Sequence, residues 1–174
     1  DATAKTLAQI ETRRTADGGY APSHDGVATA YAGFLALVAY TAADRMPPGG
    51  KSLCQTLTAL QADAGGFGND PTATGASITA TAAAVAQYHA VGRDIPAAAL
   101  RWAQAQHLPG DGFRNTAEAP AADLLSTATA LRTLHLGGVD LAPFHESCLD
   151  FVERCHESDG GLCAAPGVPP ADCE

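Results

Sequence analysis

The sequence predicts an all-α fold assembled from a repeated helical hairpin, and three observations carry that prediction. Alanine fills 38 of 174 positions, a density that favours helix. Asp17-Gly18-Gly19-Tyr20, Ala64-Gly65-Gly66-Phe67, Gly110-Asp111-Gly112-Phe113 and Asp159-Gly160-Gly161-Leu162 are versions of one motif, their last residues 47, 46 and 49 positions apart. The stretches 26–43 and 71–92 contain no Asp, Glu, Lys or Arg, the composition of helices buried inside a helical layer.

Each unit reads as a helix running into the glycine motif, a loop of about ten residues, and a second helix ending at Gly or a polar turn. A helix stops where a residue must take positive φ, which Gly adopts without steric penalty, and the aromatic or Leu after the glycines is expected to tuck back as an apolar plug. The spacing predicts helices over 2–14, 26–43, 51–63, 76–92, 96–108, 122–137 and 141–157. Asp94 with Pro96, and Asp140 with Pro143, read as helix starts, because Asp caps free N–H groups and Pro is tolerated in the first turn. Gly92-Arg93-Asp94-Ile95 recurs as Gly138-Val139-Asp140-Leu141, and Thr79-Ala80-Thr81-Ala82 as Ser126-Thr127-Ala128-Thr129. The second and fourth helices carry no formal charge, whereas the first (Lys5, Glu11, Arg13, Arg14) and seventh (Glu146, Asp150, Glu153, Arg154) carry several. Alternation of that kind predicts an inner Ala/Thr-rich layer and an outer layer, containing Trp102, that meets solvent. The units fall at approximately 1–46, 47–92, 93–138 and 139–174 of a single domain.

With 10 Lys+Arg against 19 Asp+Glu, the charge of −9 argues against nucleic acid or an anionic membrane surface as a partner, since both are bound by clustered cations. The two uncharged stretches are too rich in Ala, Thr and Gly to span a membrane. Five cysteines at irregular spacing do not form a disulfide framework and read as mostly reduced thiols, which favours the cytoplasm. His145, Cys148, Cys155, His156, Cys163 and Cys173 gather near the C-terminus without the tight pairs of zinc modules. Metal binding and a disulfide such as Cys163–Cys173 stay open beside ordinary thiols.

The unit of about 47 residues with Asp-Gly-Gly-Phe-like loops and an Ala/Thr-rich helix resembles the prenyltransferase/squalene-cyclase repeat over essentially the whole chain. The resemblance implies an α/α-toroid, with inner and outer helices alternating around a central cavity, and a parent activity of transferring or cyclising an isoprenoid diphosphate. It identifies architecture better than reaction. Protein prenyltransferases hold a catalytic zinc with an Asp, a Cys two positions later and a His from a following unit. Asp123-Leu124-Leu125-Ser126 stands at that place, and only the Asp matches. The Asp-rich acid motif and loop tryptophans of triterpene cyclases are missing, as is the Cys-Gly-Glu-Gln thioester motif of complement domains.

Tyr31, Phe34 and Tyr88 fall on inner helices, where they line a pocket for an isoprenoid or peptide or else fill a core. Asp123 and Arg132 are the charges of the sixth helix: Asp123 reads as an N-cap, in register with Asp25, Ala76 and Asp172, and Arg132 as an anion contact or a solvated helix end. These five are the candidate ligand-binding residues; no metal ligand is assigned, and the sequence specifies no cofactor. The expectation is a family-like repeat domain without a complete catalytic set, against the alternative of an isoprenoid-diphosphate-dependent transferase completed by further sequence or a partner. A closed toroid of roughly six hairpins needs about 280 residues at this period. An apolar face is therefore expected to be covered by self-association or by a C-terminal segment that would supply the fourth unit's inner helix.

Overall fold

A computed structural model describes residues 2–157 and 160–168. The helices are α1 (Ala2–Glu11), α2 (Ala30–Ala42), α3 (Gly50–Ala59), α4 (Ile78–Ala90), α5 (Ala97–Gln104), α6 (Leu124–Leu136) and α7 (His145–Arg154), the last preceded by a 3-10 turn, Ala142–Phe144. All seven expected helices form, each shorter than its expected span. The outer helices end early because the chain closes a small antiparallel turn around the glycines. Arg14 bridges to Tyr20, Gln61 to Phe67, His107 to Phe113 and His156 to Leu162. None of the described helices is long and apolar enough to cross a membrane.

These turns explain the motif. Gly65 takes φ +104°, and a Cβ on Gly66 would come within 2.5 Å of the Trp102 ring, so the two glycines answer different demands, backbone conformation and close approach. Tyr20, Phe67 and Phe113 then plug the space between the layers with 0 or 1% exposure. Leu162 departs from the expectation at 50% exposed. The plugs of the first three turns are covered by the inner helix that follows them, and among the described residues no such helix follows Leu162.

The inner helices start on side-chain caps: Thr29 accepts from the Ala32 N–H, Ser77 from Ala80 and Asp123 from Ser126. Their backbone N–H groups bond the plug carbonyls of Tyr20, Phe67 and Phe113. The capping register is thus Thr29, Ser77 and Asp123, which corrects the alignment of Asp123 with Asp25 and Ala76; Asp172 lies outside the described residues. The next residue of each helix donates to the following unit's loop: Ala30 to the Asn69 carbonyl at 2.8 Å, Ile78 to Asn115 at 2.7 Å and Leu124 to Ala164 at 2.8 Å. Buried Thr81 and Thr127 each accept the N–H of their own plug at 2.9 Å. These bonds align Thr81 with Thr127, one position away from the register in which Thr79 matches Ser126. Asp140 accepts the Ala142 N–H at 3.0 Å just before the 3-10 turn, whose N-cap is Leu141, and α5 begins after Pro96 with no side-chain cap.

Helices α2, α4 and α6 pack side by side, α1, α3 and α5 lie against their outer side, and α7 joins through the 3-10 turn and through Cys148, which clusters with Ala130 and Leu134 of α6. Small side chains set that order: Ala80, Ala83, Ala84 and Ala130 are at most 4% exposed and let the inner helices approach closely. Between α2 and α4 the approach depends on Gly33, where a Cβ would collide with the side-chain oxygen of buried Gln87. The Gln87 amide in turn donates to the Ala30 and Ala83 carbonyls, each at 2.9 Å.

Candidate functional site

A cavity of about 440 Å³ is lined by residues of the three inner helices alone, on the face turned away from the outer layer. Phe34, Leu37 and Val38 of α2, Ala86 of α4 and Leu136 of α6 make its apolar wall; Thr41, His89 and Arg132 supply its polar groups. The helical period explains the set, since 34, 38 and 41, then 86, 89 and 90, then 132 and 136 fall on one face of each helix. Val38 is 47% exposed and Leu35, one turn earlier, 49%, so an apolar strip continues along α2 to Tyr31.

The structure brings two of the five candidates, Phe34 and Arg132, into this cavity. Tyr31 is 55% exposed and lines a neighbouring recess of about 420 Å³ with Ile10, Arg13 and Asn69, its ring 6.3 Å from that of Phe34. Tyr88 points the other way. It is buried between the layers, its hydroxyl 3.0 Å from the Thr58 hydroxyl and 3.3 Å from the Cys54 carbonyl, which it reaches as donor. Burial pushes the Tyr88 phenol above its ordinary range. Asp123 is at the N-terminal end of α6, away from Arg132, where its two oxygens accept from the Ser126 N–H at 2.7 Å and the Ser126 hydroxyl at 2.6 Å.

That geometry tests the family's zinc. The Asp123 carboxylate is engaged at both oxygens as a helix cap, and Leu125, in the place of the thiolate ligand, offers only an aliphatic side chain, 63% exposed. The residues at this position do not fit a zinc ion. Among the described residues no three His, Cys, Asp or Glu side chains converge on a metal-sized site elsewhere. At α2 and α4 the first-turn N–H groups are taken by the caps Thr29 and Ser77 and by the carbonyl and side-chain oxygens of Asn69 and Asn115, which leaves none for a diphosphate.

Sequence reasoning missed His89, Val38 and Leu136; the signal was available in the i, i+4 spacing of α2 and α6. It also missed a polar cluster joining α1 to α2. Arg14 donates to Glu11 at 2.9 Å and lies with its guanidinium carbon 4.6 Å from the Tyr20 ring centre, while Tyr20 and Tyr40 both donate to Glu11. Residues 29 positions apart in sequence leave no local pattern for that contact.

The description "Prenyltransferase alpha-alpha toroid domain" matches residues 34–170, most of the chain, and the protein belongs to that family. Among solved structures it is similar to Candida albicans protein geranylgeranyltransferase-I, determined in complex with GGPP, with a TM-score of 0.68 and 16% identity over 88% of this chain. The chain spans 48% of that protein's length. At this identity the likeness establishes the fold. No curated protein sequence matches the chain.

Proposed function

We propose that this domain binds an extended apolar molecule, an isoprenoid or a peptide, along the inner helices and performs no transfer by itself. The observation that carries the reading is the cavity between Phe34, Val38, Ala86 and Leu136, apolar along its wall and edged by His89 and Arg132. An apolar chain would lie against α2 and α6, and an anionic end would meet Arg132. The incomplete match to the zinc motif and the capping role of Asp123 support binding without catalysis. The reading retains four units, at approximately 1–46, 47–92, 93–138 and 139–174. It assigns the apolar groove between α6 and α7, about 560 Å³ in volume, to self-association or to a further segment of chain.

The test is equilibrium binding of a fluorescent geranylgeranyl diphosphate analogue and of a Cys-containing peptide to the purified chain, alone and with Phe34→Asp or Arg132→Ala. Saturable binding is expected, weakened about tenfold or more by the aspartate, which removes roughly 1.4 kcal/mol or more of apolar contact. Arg132→Ala is expected to weaken the diphosphate and spare an uncharged prenyl alcohol. No saturable binding of either probe would overturn the proposal, and transfer of the prenyl group to the peptide would replace it with the transferase reading.

A further inference from the structure

Only the fourth turn carries facing side chains that can join covalently. In each turn the residue before the bridge lies opposite the residue after it: Arg13 and Ala21, Leu60 and Gly68, Gln106 and Arg114, Cys155 and Cys163. The second of each pair donates its N–H to the carbonyl of the first at 2.9, 3.0, 3.1 and 2.9 Å respectively. Between the cysteines the bond runs one way, since the Cys155 N–H stays with Phe151 and Val152 in the helix end. It holds the two backbones near the roughly 4.7–4.9 Å spacing of neighbouring strands, within the about 4.4–6.8 Å between Cα atoms that a disulfide spans. The Cys163 thiol donates to the Cys155 carbonyl at 3.3 Å, and the two residues belong to one buried cluster. Both residues are buried, with Ala122, Phe151, Leu108 and Leu124 around them.

We infer that Cys155 and Cys163 form an intramolecular disulfide site whose oxidation staples the fourth turn. The neighbouring Ala164 carbonyl holds the first N–H of α6, so the staple fixes the loop that clamps this helix. With a glutathione-type disulfide as oxidant, one Cys thiolate attacks it and releases one glutathione thiolate. The second Cys thiolate then attacks the mixed disulfide, the Cys–Cys bond forms, and a second glutathione leaves. The two protons lost by the cysteines pass to the two glutathione thiolates; the protein pair is oxidised and the glutathione disulfide reduced. Burial, then the adjacent Cys163, holds the Cys155 thiol above its ordinary range, so exchange proceeds through opening of the turn and is faster in mild denaturant.

The test equilibrates the full chain with oxidised glutathione, alkylates remaining thiols in denaturant, and maps peptides without reduction. A protease cutting at acidic residues separates the cysteines, because Glu157 and Asp159 lie between Cys155 and Cys163, and Asp172 lies before Cys173. The expected result is a Cys155–Cys163 peptide pair, equally in wild type and Cys173→Ser, with Cys54 and Cys148 alkylated. A thermal midpoint raised by a few degrees and returned by dithiothreitol accompanies it. Linkage of Cys163 to Cys173, or complete alkylation of Cys155 and Cys163, overturns the inference. The mapping uses wild-type protein, so its outcome does not depend on a Cys155→Ser variant folding.

Discussion

At Glu11 one carboxylate oxygen takes both tyrosine hydroxyls, Tyr20 at 2.6 Å and Tyr40 at 2.8 Å, while the other holds Arg14 at 2.9 Å. Burial by itself would raise this carboxyl, yet the bonds from Arg14, Tyr20 and Tyr40 together hold it below its ordinary 4.5. The group is depressed in the folded chain, so its contribution is present above the unfolded value and is lost as pH falls through the folded one. Urea unfolding from pH 7 to pH 3 should therefore show wild type and Glu11→Gln well separated near neutrality and converging in acid. A gap that stays constant across this range would rule the carboxylate out as the cause. Burial and the bond to Glu11 both raise the Tyr20 phenol, so its contribution is present below the ordinary tyrosine value of 10.0 and is lost as pH climbs above it.

The glycine turn and the inner helix after it work as one element. Phe113 is fully buried, its N–H accepted by the Thr127 hydroxyl, and its ring lies 5.1 Å from His107 and 5.4 Å from Phe144. Phe113→Ala is expected to cost about 3–5 kcal/mol through the cavity it leaves, and Leu162→Ala, at a half-exposed plug, within about 0.5 kcal/mol. Comparable losses in denaturant titrations would show that the fourth turn is plugged like the others. Thr127→Val keeps the shape and removes the acceptor, which leaves the buried Phe113 N–H unpaired at about 1–3 kcal/mol. Helix boundaries were legible only in part because their ends are set by these bridges: composition marks where alanine-rich helix is favourable, while the pairing of His107 with Phe113 decides where it stops.

Across the whole molecule, α4 is flanked by α2 and α6, but no described helix covers the far side of α6. Leu131, Leu141, Pro143, Leu149 and Val152 line the groove left there, and Leu149 is 49% exposed. Under the self-association reading, two copies meet at this edge, and Glu146, Asp150 and Glu153 on α7 oppose their counterparts. Association should therefore strengthen with salt and weaken in Leu149→Asp. Sedimentation showing monomer at every concentration and ionic strength would dismiss this use of the groove.

The sequence by itself determined the repeat, the helical class and the inner-to-outer alternation, because glycine spacing, alanine density and the placement of charge are local quantities. It also placed Phe34 and Arg132 on inner helices, since the alternation of charged and uncharged stretches is legible along the chain. Only the tertiary structure decided that Tyr88 turns outward to Thr58 and that Cys155 faces Cys163. Those outcomes depend on which neighbour each side chain meets once the helices are packed, and no periodicity along the chain encodes such a meeting.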